Sequence, residues 1–205
     1  MVPKTPIVFV VDDDVSVREA LEALIGFEGW QVETYSSAEE FLLRQRFHGP
    51  SCLVLDVSLP DLNGLDLQTR VAADRADMPI IFITGHGDVP MSVRAMKAGA
   101  VEFLTKPFSD KELLGAIRQA IEHSKDTLDH ETEINALREC HKSLSRREQE
   151  VMALVVTGLM NKQVGGELGI SEITVKAHRG RVMRKMGASS LADLVNMAAR
   201  LGIPR

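Results

Sequence analysis

Four short apolar runs in this chain each lead into a side chain able to handle charge. Asp12, Asp13 and Asp14 follow the run at residues 7–11, and Asp56 ends the run at 52–55. Thr84 closes the run at 80–83, and Lys106, with Pro107 after it, follows the run at 101–104. Should these runs be strands of one parallel sheet, the four groups meet at its carboxyl edge, where open α/β sheets place their ligands. Carboxylates brought that close repel one another, and a hard cation with oxygen ligands relieves them; Mg²⁺, which keeps several waters, fits. Carboxylate nucleophile, divalent cation, hydroxyl and ammonium are together the parts for holding a phosphoryl group. Each residue has a plainer reading by itself: a lone Asp caps a helix or turn, and Lys106 is a loop charge. Asp14 reads as decoration of a first helical turn, and His86 as a loop side chain, because Mg²⁺ prefers oxygen. The conjunction is what points to chemistry.

The elements needed to position these groups are legible. Residues 7–11, 31–35, 52–55, 80–83 and 101–104 read as strands, the third buried on both faces because its apolar run is short, continuous and closed by Pro60. Between them lie helical patterns: Val17, Leu21, Leu24 and Ile25 at 3/4 spacing, a start with capping-box character at Ser36 to Glu39, residues 65–71, and residues 91–98 stopped by Gly99. Ser109, with Glu112 three residues on, opens a last helix. This alternation predicts a doubly wound α/β fold with a five-stranded parallel sheet of order 2-1-3-4-5, which sets strands 1 and 3 side by side and brings Asp12 and Asp13 beside Asp56. The last helix has no clear stop. Its apolar positions, Leu113, Ile117, Ile121, Leu128, Ile134 and Leu137, approximate a heptad stripe with one slip, and neither Pro nor Gly interrupts residues 117–141. A long helical linker able to pair with a second copy is the reading taken; a broken helix followed by a disordered acidic stretch is the alternative.

Composition divides the chain. The net charge of −5 hides −8 over residues 1–123, −2 over 124–143 and +5 over 144–205. A basic tail on an acidic front suits nucleic acid, although charge alone allows a merely solvated basic face equally well. No apolar run approaches the roughly 20 residues that span a bilayer, and the N-terminal residues lack a signal-like core, so the cytoplasm is the expected compartment. The two cysteines, Cys52 and Cys140, suggest no disulfide framework.

Residues 144–205 are helical throughout. Ser145 and Glu148 make a capping box, Gly158 stops the first helix, residues 161–168 form a second, and Ser171 caps a third that ends near Gly187; residues 190–201 form a fourth. Two short helices about a Gly-containing turn are the helix-turn-helix pattern. In the third helix Val175, His178, Val182 and Met186 repeat at 3/4 spacing and should pack inward, leaving Lys176, Arg179, Gly180, Arg181 and Arg184 for a DNA groove. Gly165 and Gly166 inside the second helix should soften it, so Gly165→Ala is expected to raise the melting temperature.

The set Val-Val-Asp12-Asp13, Asp56, Thr84 and Lys106-Pro107, with Phe103 between the last two, resembles the receiver domain of bacterial two-component response regulators. The motifs Leu-Ser-Arg-Arg-Glu, Gly-Leu-Met-Asn-Lys and Thr-Val-Lys-Ala-His resemble the LuxR-type effector domain. Together they look like the FixJ subfamily, with styrene- and toluene-responsive regulators nearby. The resemblance implies a receiver at 1–123, a helical linker at 124–143 and a four-helix, all-α DNA-binding domain at 144–205. By it Asp56 accepts a phosphoryl group from a partner histidine kinase. Asp13, Asp56 and the Ser58 carbonyl hold Mg²⁺, with Asp12 acting mostly through water. Lys106 pairs with the phosphoryl oxygens ahead of a cis bond to Pro107, Thr84 bonds the phosphoryl, and Phe103 turns inward. Gly85 leaves room for the group. Lys162, Thr174, Lys176, Arg179 and Arg181 are implied contacts to promoter DNA. Phosphorylation would drive homodimerisation through Met91, Arg94, Ala95 and Val101, and RNA polymerase is an implied partner; a membrane is not. Two other readings compete: a phosphatase-like enzyme, for which no general acid or base presents itself, and a constitutive DNA binder whose front domain only dimerises.

Overall fold

The computed structural model describes residues 5–60, 62–75, 77–85 and 88–204, so His86 lies outside the described residues. The chain forms two compact units that divide between Asp129 and His130.

In the first unit the strands are Ile7–Val11 (β1), Gln31–Tyr35 (β2), Ser51–Asp56 (β3), Ile80–Thr84 (β4) and Glu102–Thr105 (β5), all paired parallel in the order β2-β1-β3-β4-β5. Side chains alternate across the sheet and build two cores. Phe9, Leu53, Leu55 and Phe82 face the helices Ala38–Leu43 (α2), Gly64–Asp74 (α3) and Val89–Lys97 (α4) through Phe41, Leu67, Val71 and Ala95. Val8, Val10, Cys52, Val54, Ile81 and Ile83 face Val15–Phe27 (α1) and Asp110–Lys142 (α5) through Leu21, Ile25, Leu113, Ile117 and Ile121. The three inner strands are buried along their whole length because helices cover both faces.

Local signals set the helix starts. Asp14 is the N-cap of α1, accepting the N–H groups of Ser16 and Val17, and so stands just outside the first turn where the sequence reading had put it inside. The cap of α2 is Ser37, one residue later than expected, while Glu40 reaches back to the N–H and hydroxyl of Ser36. Helix α5 runs unbroken for 33 residues; its buried positions end at Ser124, whose hydroxyl donates to the Asp77 carbonyl and accepts from the Ser51 N–H.

The second unit contains Arg146–Val155 (α6), Asn161–Leu168 (α7), Glu172–Met186 (α8) and Leu191–Arg200 (α9), around a core of Val151, Met152, Val155, Val164, Val175, Val182, Met186 and Leu194. The capping box of Ser145 and Glu148 is present. Gly169 ends α7 at φ 64°, the left-handed backbone that lets the chain turn sharply into α8. His178 is half-buried, with Nδ1 enclosed and no partner for it among the described residues.

Candidate functional site

Register carries the acidic residues together. Val11 pairs with Leu55, so the residues that follow, Asp12 and Asp56, leave adjacent strands side by side. Asp56 pairs with Ile83, and Thr84 with Thr105, which places the Thr84 and Lys106 positions along the same edge. Carboxylate oxygens of Asp12, Asp13 and Asp56 lie within 4.8 Å of one another. Asp12 and Asp56 are buried and Asp13 is exposed. Lys106 reaches across from the far side, its Nζ donating to Asp12 Oδ2 and to Asp56 Oδ2, each at 2.7 Å. The other Asp56 oxygen, Oδ1, accepts the Ser58 N–H at 2.8 Å. Thr84 is fully buried at the end of β4, and its carbonyl accepts the Lys106 N–H at 2.8 Å.

The charges answer to this geometry. Burial raises the pKa of Asp12, and the bonds it accepts from Lys106 and from the Asp14 N–H only partly offset that. For Lys106 burial acts to lower the pKa, but the bonds to Asp12 and Asp56 outweigh it and the net shift is upward, so the ammonium is charged at neutral pH. An oxygen-only donor set with one exposed and two buried carboxylates fits a hard divalent cation such as Mg²⁺. Gly85, just after β4, has no atom of the described residues within 4 Å of where a Cβ would stand.

Other expected residues fall as follows. Phe103 is half-buried with its ring centroid 6.2 Å from that of Phe82. The Lys106–Pro107 bond is cis. The proposed dimer surface needs correction: Ala95 is completely buried against the sheet and Met91 packs on the same core, because α4 spends that face on the fold. The outward stripe of α4 is Val89, Val93 and Met96, at 75%, 44% and 44% exposure, with Arg94 exposed beside it. Two residues at the acidic edge escaped the sequence reading. Arg18 donates to the carbonyls of Asp12 and Asp13 and so braces the loop that carries them. A Cβ on Gly64 would stand 2.6 Å from the Asp56 carbonyl oxygen, so α3 begins in backbone contact with the strand end that bears Asp56. The signal for it was Asn63-Gly64 at a helix start, a cap followed by the one residue without a side chain.

In the second unit, α7 and α8 meet at the Gly169 turn. Lys162 is exposed on α7, and Lys176 and Arg181 are exposed on α8. Thr174 is exposed, with its N–H and hydroxyl both bonded to the Ser171 cap. Arg179 is half-buried and donates to Asn161 Oδ1 at 3.1 Å, tying α8 to the start of α7. The expected benefit of Gly165→Ala is overturned: a Cβ there would stand 2.7 Å from the Ile170 carbonyl oxygen, because the turn folds back onto Gly165. Glu148 also ties the unit together. It accepts from Lys185 Nζ at 2.7 Å and from the Ser145 N–H, which lower its pKa to about 2.

Residues 8–118 match the response regulator receiver domain family, and residues 142–198 match the bacterial regulatory proteins of the luxR family. Nodulation protein W of Bradyrhizobium diazoefficiens is 54% identical over 197 residues, 96% of this chain and 87% of that one. Transcriptional regulatory protein FixJ of Rhizobium meliloti is 42% identical over 191 residues, 93% and 94% of the two chains. The solved structure of response regulator StyR superposes with a TM-score of 0.85 at 47% identity, covering 96% of this chain and all of that one. With an acidic cluster at the carboxyl edge of its sheet and a helix-turn-helix in its second unit, the chain belongs to the response regulators that join a receiver domain to a LuxR-type DNA-binding domain and act as transcription regulators.

Proposed function

We propose that Asp56 is the phosphoacceptor, and that its phosphorylation by a partner histidine kinase switches dimerisation and promoter binding by the second unit. The observation that carries this reading is Lys106 Nζ at 2.7 Å from both Asp12 and Asp56, which aims an ammonium at the oxygen where phosphoryl charge would arrive. In the transfer an Asp56 oxygen attacks phosphorus, the P–N bond to the donor imidazole breaks, and the imidazole leaves with the electron pair. The Ser58 N–H and Lys106 orient the Asp56 carboxylate for this attack. Asp12, Asp13, Asp56 and the Ser58 carbonyl would hold Mg²⁺, which when bound neutralises phosphoryl oxygens. Thr84 takes a phosphoryl oxygen and Phe103 follows it.

The consequence runs to the α4–β5 face, where Val93, Met96 and Arg94 supply the surface for a second copy. Residues 1–123 act as receiver, 124–143 as linker and 144–205 as effector, with Lys162, Thr174, Lys176, Arg179 and Arg181 contacting DNA. The protein works in the cytoplasm, recruits RNA polymerase at its promoters and turns over no metabolite. Among the described residues no helix is long and apolar enough to cross a membrane. The test is promoter-length DNA affinity before and after acetyl phosphate with Mg²⁺, with Asp56→Asn as control. Affinity should rise at least about tenfold in the wild type and stay flat in the variant, a coupling typical of such switches. Tight binding indifferent to phosphorylation would replace this reading with that of a constitutive binder.

A further inference from the structure

Helix α8 carries an exposed apolar residue where a DNA reader would carry a polar one. Ile173, in its first turn, is 82% exposed. Val175, Val182 and Met186 define the inward face. At 3.6 residues per turn Ile173 lies nearly opposite that face, and Ala177, Gly180 and Arg184 continue the same outward stripe at steps of four, three and four. All four are exposed. Lys176 and Arg181 flank the stripe on either side, and both are exposed. The stripe's centre is therefore an isoleucine, a methyl and an open glycine, with its cations at the edges and far end.

Single exposed apolar residues are common on protein surfaces. Ile173 is set apart by its place in the first turn of α8, on a stripe flanked by Lys176 and Arg181 and too narrow to make a protein-sized apolar patch. The flanking cations select a polyanion as the occupant. Within a major groove, the apolar feature that distinguishes one base from the others is the C5-methyl group of thymine. We infer that Ile173 is a specificity residue that packs on a thymine methyl in each half-site, while Lys176 and Arg181 hold the flanking phosphates. This rests on the reading of α8 as the groove-reading helix.

The test starts from duplexes selected by the full-length protein, phosphorylated with acetyl phosphate and Mg²⁺, out of a randomised pool. Each thymine of the selected site is then replaced by deoxyuridine, which removes only the methyl group. In the wild type one position per half-site should lose about three- to tenfold in affinity, the range expected for one buried methyl. Ile173→Ala, which keeps a good helix former at an exposed site, should bind the thymine duplex more weakly and bind thymine and deoxyuridine duplexes equally. Lys176→Ala should weaken both duplexes alike and retain the methyl effect. Equal wild-type affinity for all thymine and deoxyuridine duplexes overturns the inference, and so does a methyl effect that persists in Ile173→Ala. Failure to select any duplex would instead remove the DNA-binding reading beneath it.

Discussion

Gly165 and Gly166 are adjacent in α7 and should respond to alanine in opposite directions. Helix propensity favours alanine by about 1 kcal/mol at each position, and the loss of unfolded-chain freedom is common to both. What separates them is the space the Cβ enters. At Gly166 nothing lies within 4 Å, so the full gain of about 1 kcal/mol should appear. At Gly165 the Cβ would stand 2.7 Å from the Ile170 carbonyl oxygen, whereas ordinary C···O contacts begin at about 3.3 Å. The turn would have to retreat by roughly 0.6 Å, which strains the bond from the Ile170 N–H to the Gly165 carbonyl, now 3.0 Å. Overpacking costs about 1–3 kcal/mol, and because the retreat also strains a backbone hydrogen bond the upper part of that range, about 2–3 kcal/mol, applies here. Against the propensity gain of about 1 kcal/mol the net effect at Gly165 is a loss of roughly 1–2 kcal/mol, and the two variants should differ by about 2–3 kcal/mol. Tryptophan or tyrosine fluorescence cannot read this, since the single Trp30 and the single Tyr35 lie in the receiver. Amide hydrogen exchange of the α7–α8 segment can: protection should differ roughly 30- to 150-fold between the variants, with wild type between them. A Gly165→Ala protein as protected as Gly166→Ala would refute the steric reasoning, and with it the idea that Gly165 sets the angle at which α8 leaves the turn.

Gly64 and Glu148 give two further outcomes. Gly64→Ala would place a Cβ 2.6 Å from the Asp56 carbonyl oxygen and 2.9 Å from the Val57 Cα, so it should slow phosphorylation by acetyl phosphate by at least about tenfold while far-ultraviolet circular dichroism stays unchanged; a wild-type rate on a phosphate-affinity gel would show that the strand end tolerates the shift. The Lys185 ammonium, with the Ser145 N–H, lowers the folded pKa of Glu148 to about 2, so its stabilising contribution is complete above the ordinary value of 4.5 and is lost as the pH falls from there toward 2. Glu148→Gln should remove that part of the acid dependence of α6–α8 exchange protection, and an unchanged acid profile would assign the dependence to other carboxylates.

The acidic cluster could be read from sequence because parallel register leaves it little freedom. Once residues 7–11 and 52–55 are neighbouring strands, Asp12 and Asp56 must emerge at one edge, and Lys106 one residue beyond β5 can reach both. Sheet order followed from the alternation of strands and helices, and helix starts from local caps to within one or two residues. The faces of α4 did not, because apolar residues stand on two sides of the helix, Met91 with Ala95 and Val89 with Val93 and Met96, and Arg94 and Lys97 lie between those sides without marking which of them is buried. Only packing shows that Ala95 goes to the core and Val93 outward. Gly165 was misjudged for a related reason. Propensity weighs a residue against its own helix, whereas Gly165 is constrained by Ile170, which lies beyond the turn.

Lys106 links the site to the face that must respond. Its ammonium is bonded to the carboxylates of the acidic cluster and shared between Asp12 and Asp56. Its backbone N–H is bonded to the carbonyl of Thr84, so the ends of β4 and β5 are joined through the same two residues that carry the hydroxyl and the ammonium. Under the proposed function, a phosphoryl group on Asp56 would compete for the ammonium now held by Asp56 Oδ2 and would draw on the Thr84 side chain. Any adjustment of either residue is therefore imposed on both strand ends together. The next element inward from that edge is Phe103, one strand pair from Phe82 and half-buried, and α4 packs on the same core through Ala95 and Met91. Gln68 Nε2 also donates to the Ala95 carbonyl and so fastens the last turn of α4 to α3, on the opposite side from the exposed Val89, Val93 and Met96. On the proposed reading, charge arriving at one Asp56 oxygen would be converted into a displacement of apolar surface, the form of output that a second copy of the chain could read.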